Sequence, residues 1–279
     1  MKQLSESIVQ AVVRPRPQES HKGTFGRVLI VGGNAQFGGA AIMAASAAVY
    51  AGAGLVTVAT DPVNRSALHA RLPEAMIVPF NDRQALKAAL AAATVIVIGP
   101  GLGTDEAALA ILQTTLAGIT PAQTLILDGS AITLVAEHQL PVEFQNVVWT
   151  PHQMEWQRLS GLAVKAQTVA ANTKAAAAIA GTVIVKSHRT QIFSPTASYE
   201  NTTGSAAMAT GGSGDTLTGI LAAFIAQFGY VDQTVCAAVY AHSAIADGLA
   251  ATNYVVLPSM VIAALPHYMQ RIAASGAPA

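Results

Sequence analysis

A series of short apolar runs, each ending at glycine or a polar residue, limits what this chain can fold into more than any other feature. Arg27-Val-Leu-Ile-Val31 enters Gly32-Gly33-Asn34, Thr94-Val-Ile-Val-Ile98 enters Gly99-Pro-Gly-Leu-Gly103, and Leu125-Ile-Leu127 enters Asp128-Gly129-Ser130. Val147-Val-Trp149 runs into Thr150-Pro-His152, and Thr182-Val-Ile-Val-Lys186 ends on its lysine. Runs so short and so uniformly apolar are expected to be strands buried on both faces of a sheet. Leu55-Val-Thr-Val-Ala59 and residues 75–80 are expected to add further strands. The alanine-rich stretch 38–50, residues 83–92 and a segment starting near Asp105 have helical composition. Their β–α–β order implies a parallel sheet with right-handed crossovers. Further helices are expected over about 165–180, 215–228, 231–251 and 258–273, with a strand pair within 190–200. In open parallel sheets the ligand lies outside the carboxyl ends of the strands. The punctuation at Asn34, residues 101–103, Asp128, residues 150–152 and Lys186 therefore points to one shared cleft.

Length and composition narrow the class. At 279 residues the chain can form one large α/β domain or two small ones. No long linker, repeat or low-complexity tail divides it, so a single domain over 1–279 is expected, with residues 1–20 as an extended arm around Arg14-Pro-Arg-Pro17. Hydrophobic residues make up 52% and charged residues only 11%. Fifteen basic and fifteen acidic residues cancel, and no lysine/arginine run offers a footprint for nucleic acid. No charge occurs between Arg27 and Asp61, yet Gly52 and Gly54 interrupt that stretch, which argues against a membrane span. The single cysteine, Cys236, gives no internal disulfide, and the first twenty residues have no signal-peptide core. A cytoplasmic protein is expected. The apolar surplus suggests buried contacts between subunits.

Chemistry concentrates in Asn201-Thr-Thr-Gly-Ser-Ala-Ala-Met-Ala-Thr-Gly-Gly-Ser-Gly-Asp215. The apolar residues Leu217, Ile220, Leu221, Phe224, Ile225 and Phe228 follow at helical spacing. Gly211, Gly212 and Gly214 thus stand at a helix N-terminus, where free N–H groups and the helix dipole bind phosphate. Asp215 is an odd neighbour for an anion unless it handles a proton or a metal. From these residues alone two readings stay open: an anion site with a working carboxylate, and a flexible Gly/Ser linker whose Asp215 only favours the helix start. The turn Gly32-Gly33-Asn34 lacks the G-x-G-x-x-G spacing and the later acidic residue of a dinucleotide fold. The seven histidines show no zinc-type spacing, so no protein-held metal is expected.

With these loops in hand, the chain resembles the ribokinase-like superfamily and, more narrowly, the ADP-dependent NAD(P)HX dehydratases. The resemblance runs from His21-Lys-Gly-Thr-Phe-Gly-Arg-Val28 to Ala241-His242 and Asp247, and is sharpest at Met208-Ala-Thr-Gly-Gly-Ser-Gly-Asp-Thr-Leu-Thr-Gly219. Gly39-Ala40-Ala41, Gly99-Pro-Gly-Leu-Gly103 and Thr150-Pro-His152 match in the same order. It implies an α/β, ribokinase-like fold: a central, mostly parallel sheet with helices on both faces. It implies an enzyme that uses ADP or ATP with Mg2+ to dehydrate NADHX or NADPHX, commonly as a homo-oligomer, and a homotetramer is expected here. The hydroxyl would take the terminal phosphoryl of ADP and leave as phosphate, giving AMP. Asp215 would be the base that deprotonates that hydroxyl and a substrate contact. Ala40, Gly103 and His152 would line the hydrate pocket. Lys186, Ser187, His188, Arg189 and Thr190 would border the adenosine, with Gly211, Gly212, Ser213 and Gly214 at the nucleotide phosphate. Magnesium would be held mostly by phosphates and water.

The chain departs from the family pattern at Ser130, where Asp is usual, at Met154 and Ser187, where Gly is usual, and at Ser205-Ala206-Ala207, where Asn-x-Gly is usual. Two further activities therefore stand beside the dehydratase: a kinase of the same superfamily acting on a hydroxymethyl group of a pyrimidine or thiazole, and a non-catalytic nucleotide-binding protein.

Overall fold

The computed structural model describes residues 1–275. Ten strands join one sheet: β1 (Lys2–Gln3), β2 (Arg27–Val31), β3 (Leu55–Thr60), β4 (Met76–Pro79), β5 (Val95–Ile98), β6 (Thr124–Leu127), β7 (Val147–Trp149), β8 (Thr182–Val185), β9 (Gln191–Phe193) and β10 (Ser198–Glu200). Their order is β1-β10-β9-β8-β7-β6-β5-β2-β3-β4. Every pairing is parallel except β8 with β9 and β9 with β10.

Successive strand side chains point to opposite faces, so each apolar run feeds two cores. Val28 and Ile30 join one core, whereas Leu29 and Val31 join the other. The first core is covered by α1 (Glu6–Val12), α2 (Gly38–Tyr50), α9 (Ser213–Phe228), α10 (Asp232–Ala250) and α11 (Pro258–Ser275). The second is covered by α4 (Arg83–Ala92), α5 (Glu106–Gly118), α6 (Gly129–His138), α7 (Gln153–Ser160) and α8 (Val169–Ala176). The mostly parallel sheet with helices on both faces is thus the architecture expected of the sequence. A short α3 (Arg65–Arg71) sits between β3 and β4.

Small residues fix how α9 lies. Ala44, Ala45, Ala47 and Ala48 of α2 are wholly buried. A Cβ on Gly219 of α9 would stand 2.1 Å from the Ala44 carbonyl oxygen, so the two backbones approach as only glycine allows. That contact sets the position of the α9 N-terminus and of Asp215.

Two expectations are corrected. Residues 1–20 are not simply an extended arm: Lys2–Gln3 adds a strand and Glu6–Val12 forms a helix whose Val9 is buried. The Arg-Pro run does stop that helix, because a residue preceding proline avoids the helical region. The helix expected over 165–180 is a 3-10 turn, Val164–Ala166, followed by α8, whose first turn is capped by the Thr168 hydroxyl accepting from Ala171 N at 3.2 Å. Among the described residues no helix is long and apolar enough to cross a membrane.

Candidate active site

The chain reverses its direction of travel across the sheet between β2 and β5, which pair in parallel with Ile30 opposite Val97. A crevice opens at such a switch point. The loops leaving the two strands are stitched together: Gly33 N donates to Pro100 O at 2.8 Å and Asn34 N to Gly101 O at 2.8 Å. Ala40 and Gly103 both lie here. A Cβ on Gly101 would stand 3.0 Å from the Ala40 Cβ, and Gly103 N donates to Ser130 Oγ at 3.2 Å.

A cavity of about 650 Å³ opens beside this crevice, beyond the carboxyl ends of β7 and β8. Its walls include His152, Lys186, Ser187, His188, Thr190, Ser213 and Gly214. Asn201, Ser243 and the buried His242 add polar surface. Most of the expected nucleotide residues therefore share one wall system. Arg189 does not line the cavity; its guanidinium donates to the Thr202 carbonyl instead. Gly211 and Gly212 also stand off the lining. His152, expected at the substrate, borders this cavity, whereas Ala40 and Gly103 lie on the loops after β2 and β5 and do not line it.

Asp215 is the third residue of α9, half-buried, with Gly212 as N-cap at φ +96°. The turn needs Gly212 for its conformation, while the Met43 side-chain end that a Cβ would meet is flexible. A carboxylate in a first helical turn is ordinarily stabilised in its charged form by the dipole. Asp215 shows the opposite: burial, then the Asp128 charge, push its pKa up to about 6 against the lowering effect of Lys186. Groups perturbed in this way cluster at functional sites.

Asp128 and Lys186 form the charged centre. Lys186 Nζ bonds Asp128 Oδ1 at 2.8 Å; the Thr150 hydroxyl lies 2.7 Å from the same oxygen and the Thr218 hydroxyl 3.2 Å from Oδ2. Burial raises the Asp128 carboxyl, but Lys186 and these hydrogen bonds outweigh it and hold the net value below the ordinary one. Lys186 moves up, because the attraction of Asp128 and Glu155 exceeds the effect of burial. His242 is driven down to about 4, first by burial and then by the Lys186 charge, and is neutral.

His152 caps α7. Its Nδ1 accepts from Met154 N at 3.1 Å and Glu155 N at 3.2 Å, while Glu155 Oε2 accepts from His152 N at 2.8 Å. Both ends of this capping box are present, so Glu155 serves the helix start. Burial raises its pKa. Among the described residues no group of three or more His, Cys, Asp or Glu could hold a metal ion.

The departures from the family pattern fit their surroundings. Met154 is exposed, Ser187 Oγ donates to Arg189 O at 2.7 Å, and Ser205 Oγ accepts from Ala207 N at 3.2 Å at a 3-10 turn. Trp149 and Trp156 are buried packing residues.

The sequence profile of the NAD(P)H-hydrate dehydratases matches residues 28–267. This chain belongs to the NAD(P)H-hydrate dehydratase family. The chain is 51% identical to the ADP-dependent (S)-NAD(P)H-hydrate dehydratase of Lactiplantibacillus plantarum over 97% of its length and 98% of that protein's. A ribokinase-like superfamily protein of Enterococcus faecalis superposes with a TM-score of 0.96 at 49% identity, covering 98% of this chain and 96% of its own. The Bacillus subtilis ADP/ATP-dependent NAD(P)H-hydrate dehydratase, co-crystallised with ATP/Mg2+, superposes with a TM-score of 0.86 at 29% identity, covering 97% and 98%. Within this dehydratase family fold, Asp128, Thr218 and His242 are the functional candidates that sequence reasoning under-weighted. Asp128 was legible as the end of an apolar run, but its partners were not.

Proposed function

We infer that this protein dehydrates the hydrated nicotinamide of NAD(P)HX at the expense of ADP. The single observation that carries this reading is Asp215, a carboxylate with its pKa raised to about 6, next to Gly214 in the chain and within the field of Lys186, in a chain of this family.

The chemistry has two steps. Asp215 takes the proton of the ring hydroxyl as that oxygen attacks the terminal phosphorus of ADP; the bond to the bridging oxygen breaks and AMP departs. The new phosphate ester then loses its C–O bond with the push of the ring nitrogen, and a neighbouring carbon gives up a proton, leaving NAD(P)H and phosphate. Hydroxide has become phosphate, a far better leaving group.

The chain's own residues supply positioning and charge. The N–H groups at the start of α9 face the phosphoryl group. Ser187, His188 and Thr190 carry the nucleoside, and the loops at Ala40 and Gly103 receive the hydrate ring. The free carboxylate at the site, Asp215, is too little to cage a bare cation, so magnesium would come with the phosphates of the nucleotide and partly neutralise them.

Incubation of the folded protein with NADHX, ADP and magnesium, followed by NADH absorbance, tests the reading. NADH should appear in proportion to AMP. Persistence of NADHX with both ADP and ATP would refute it.

A further inference from the structure

We propose that Lys186 contacts the phosphoryl group being transferred rather than the adenosine, and that Asp128 is the positioning residue that holds it there. This assignment rests on the dehydratase reading for its reaction, but not for its binding consequences.

Two neighbours locate the ammonium. A Cβ built on Gly214 would stand 3.3 Å from Lys186 Nζ, so the amine lies against the backbone at the α9 N-terminus. Nζ also bonds Asp128 Oδ1 at 2.8 Å. Ser187, His188 and Thr190 line the same cavity. Lys186 therefore stands where helix N–H groups and a cation converge on an anion, next to Asp215. A lysine is a point charge on a flexible stem, and only an anchor fixes its head.

Asp128 is that anchor and is itself clamped. It is buried at 3% exposure, with Thr150 Oγ1 2.7 Å from Oδ1 and Thr218 Oγ1 3.2 Å from Oδ2. Thr218 belongs to α9 and lies 2.7 Å from the Gly214 carbonyl oxygen, so the clamp links β6, β7 and the helix that carries Asp215. A buried ion pair is a poor source of stability, because desolvation offsets the attraction. One that places a cation at the end of a phosphate-binding helix has a reason to persist. The charged or titratable groups around Asp215 are Asp128 from the end of β6, Glu155 from α7 and Lys186 from the end of β8; His152 and His242 border the adjoining cavity.

ADP and AMP differ by the phosphoryl group that Lys186 would hold, which gives a binding test needing no turnover. Titration calorimetry of the full chain with each nucleotide, in magnesium, should show ADP preferred over AMP. Lys186→Met should lose that preference by roughly tenfold or more, as expected for one charge-assisted hydrogen bond, while AMP affinity stays within about threefold. Asp128→Asn should lose part of the preference and should move the acid limb of kcat/KM to lower pH, since a negative neighbour of Asp215 is gone. Retained AMP binding shows that each variant is folded; should Lys186→Met not fold, Lys186→Gln serves in its place. Equal loss of ADP and AMP affinity, or a wild type that does not prefer ADP, would overturn the assignment. An unshifted acid limb in Asp128→Asn would overturn the role of Asp128. A wild type that prefers ADP yet leaves NADHX untouched would refute the dehydratase reading and leave Lys186 where it is placed here.

Discussion

Asp128 raises the pKa of Asp215 even though Asp128 is itself bonded to Lys186 at 2.8 Å. Burial of Asp215 is the larger cause, and the pair with Lys186 neutralises Asp128 only in part. Asp215 is therefore a carboxylate held at the weakly basic end of its range, on a helix end that would by itself make it more acidic.

Asp215→Asn should lower turnover by roughly 10²–10⁴-fold, because Asn keeps the shape and cannot take the proton. Steady-state rates with ADP and NADHX measure this. AMP affinity should be retained.

The same substitution should not reduce stability at neutral pH. The folded pKa of Asp215, about 6, lies above the ordinary 3.8, so its charge is disfavoured in the folded state. That penalty is absent below about 3.8, grows between the two values and is complete above about 6. The Asn variant should therefore match or exceed the wild-type melting temperature at pH 8 and converge with it near pH 4. A lower melting temperature at pH 8 would mean that Asp215 mainly supports the helix.

The pH profile should carry the same signature. Asp215 works as base only when deprotonated, so kcat/KM should rise through about pH 6 and level off above it. Initial rates between pH 5 and 8 test this; a profile flat across that range would remove Asp215 as the base.

Gly211 and Gly212 should separate sharply. An alanine Cβ at Gly212 would sit 2.3 Å from the Met43 sulfur with φ at +96°, whereas at Gly211 it meets nothing within 4 Å. Gly212→Ala should destabilise by about 1–3 kcal/mol, from backbone strain at that positive φ. Gly211→Ala should leave the melting temperature nearly unchanged. Thermal denaturation of both variants is the measurement.

Ser130→Ala removes the acceptor that the Gly103 amide uses at 3.2 Å. Freeing that loop should raise KM for NADHX and leave the KM for ADP unchanged, because Gly103 lies in the crevice and not on the nucleotide cavity. Parallel shifts in both constants would place Gly103 elsewhere.

What the sequence determined was written in local patterns. The apolar runs ending at Gly32, Gly99, Asp128, Thr150 and Lys186 became β2, β5, β6, β7 and β8 because an all-apolar strand is stable only between two covering layers. The glycines before Asp215 and the stripe from Leu217 to Phe228 became the N-terminus and buried face of α9 for equally local reasons. The tertiary structure alone decided what meets what. Lys186 and Asp128 are 58 residues apart, and they meet only because β7 lies between β6 and β8 in the sheet. The helices Glu6–Val12 and Gly129–His138 start after Ser5 and Asp128, residue types that favour a helix start, but they are too short for periodicity to announce them. Ala40 and Gly103, by contrast with His152, lie off the cavity because they follow β2 and β5, where the sheet order reverses, and not β7. Periodicity records which face of an element is apolar; only the packed sheet fixes distances between strand ends, and charge interactions depend on those distances.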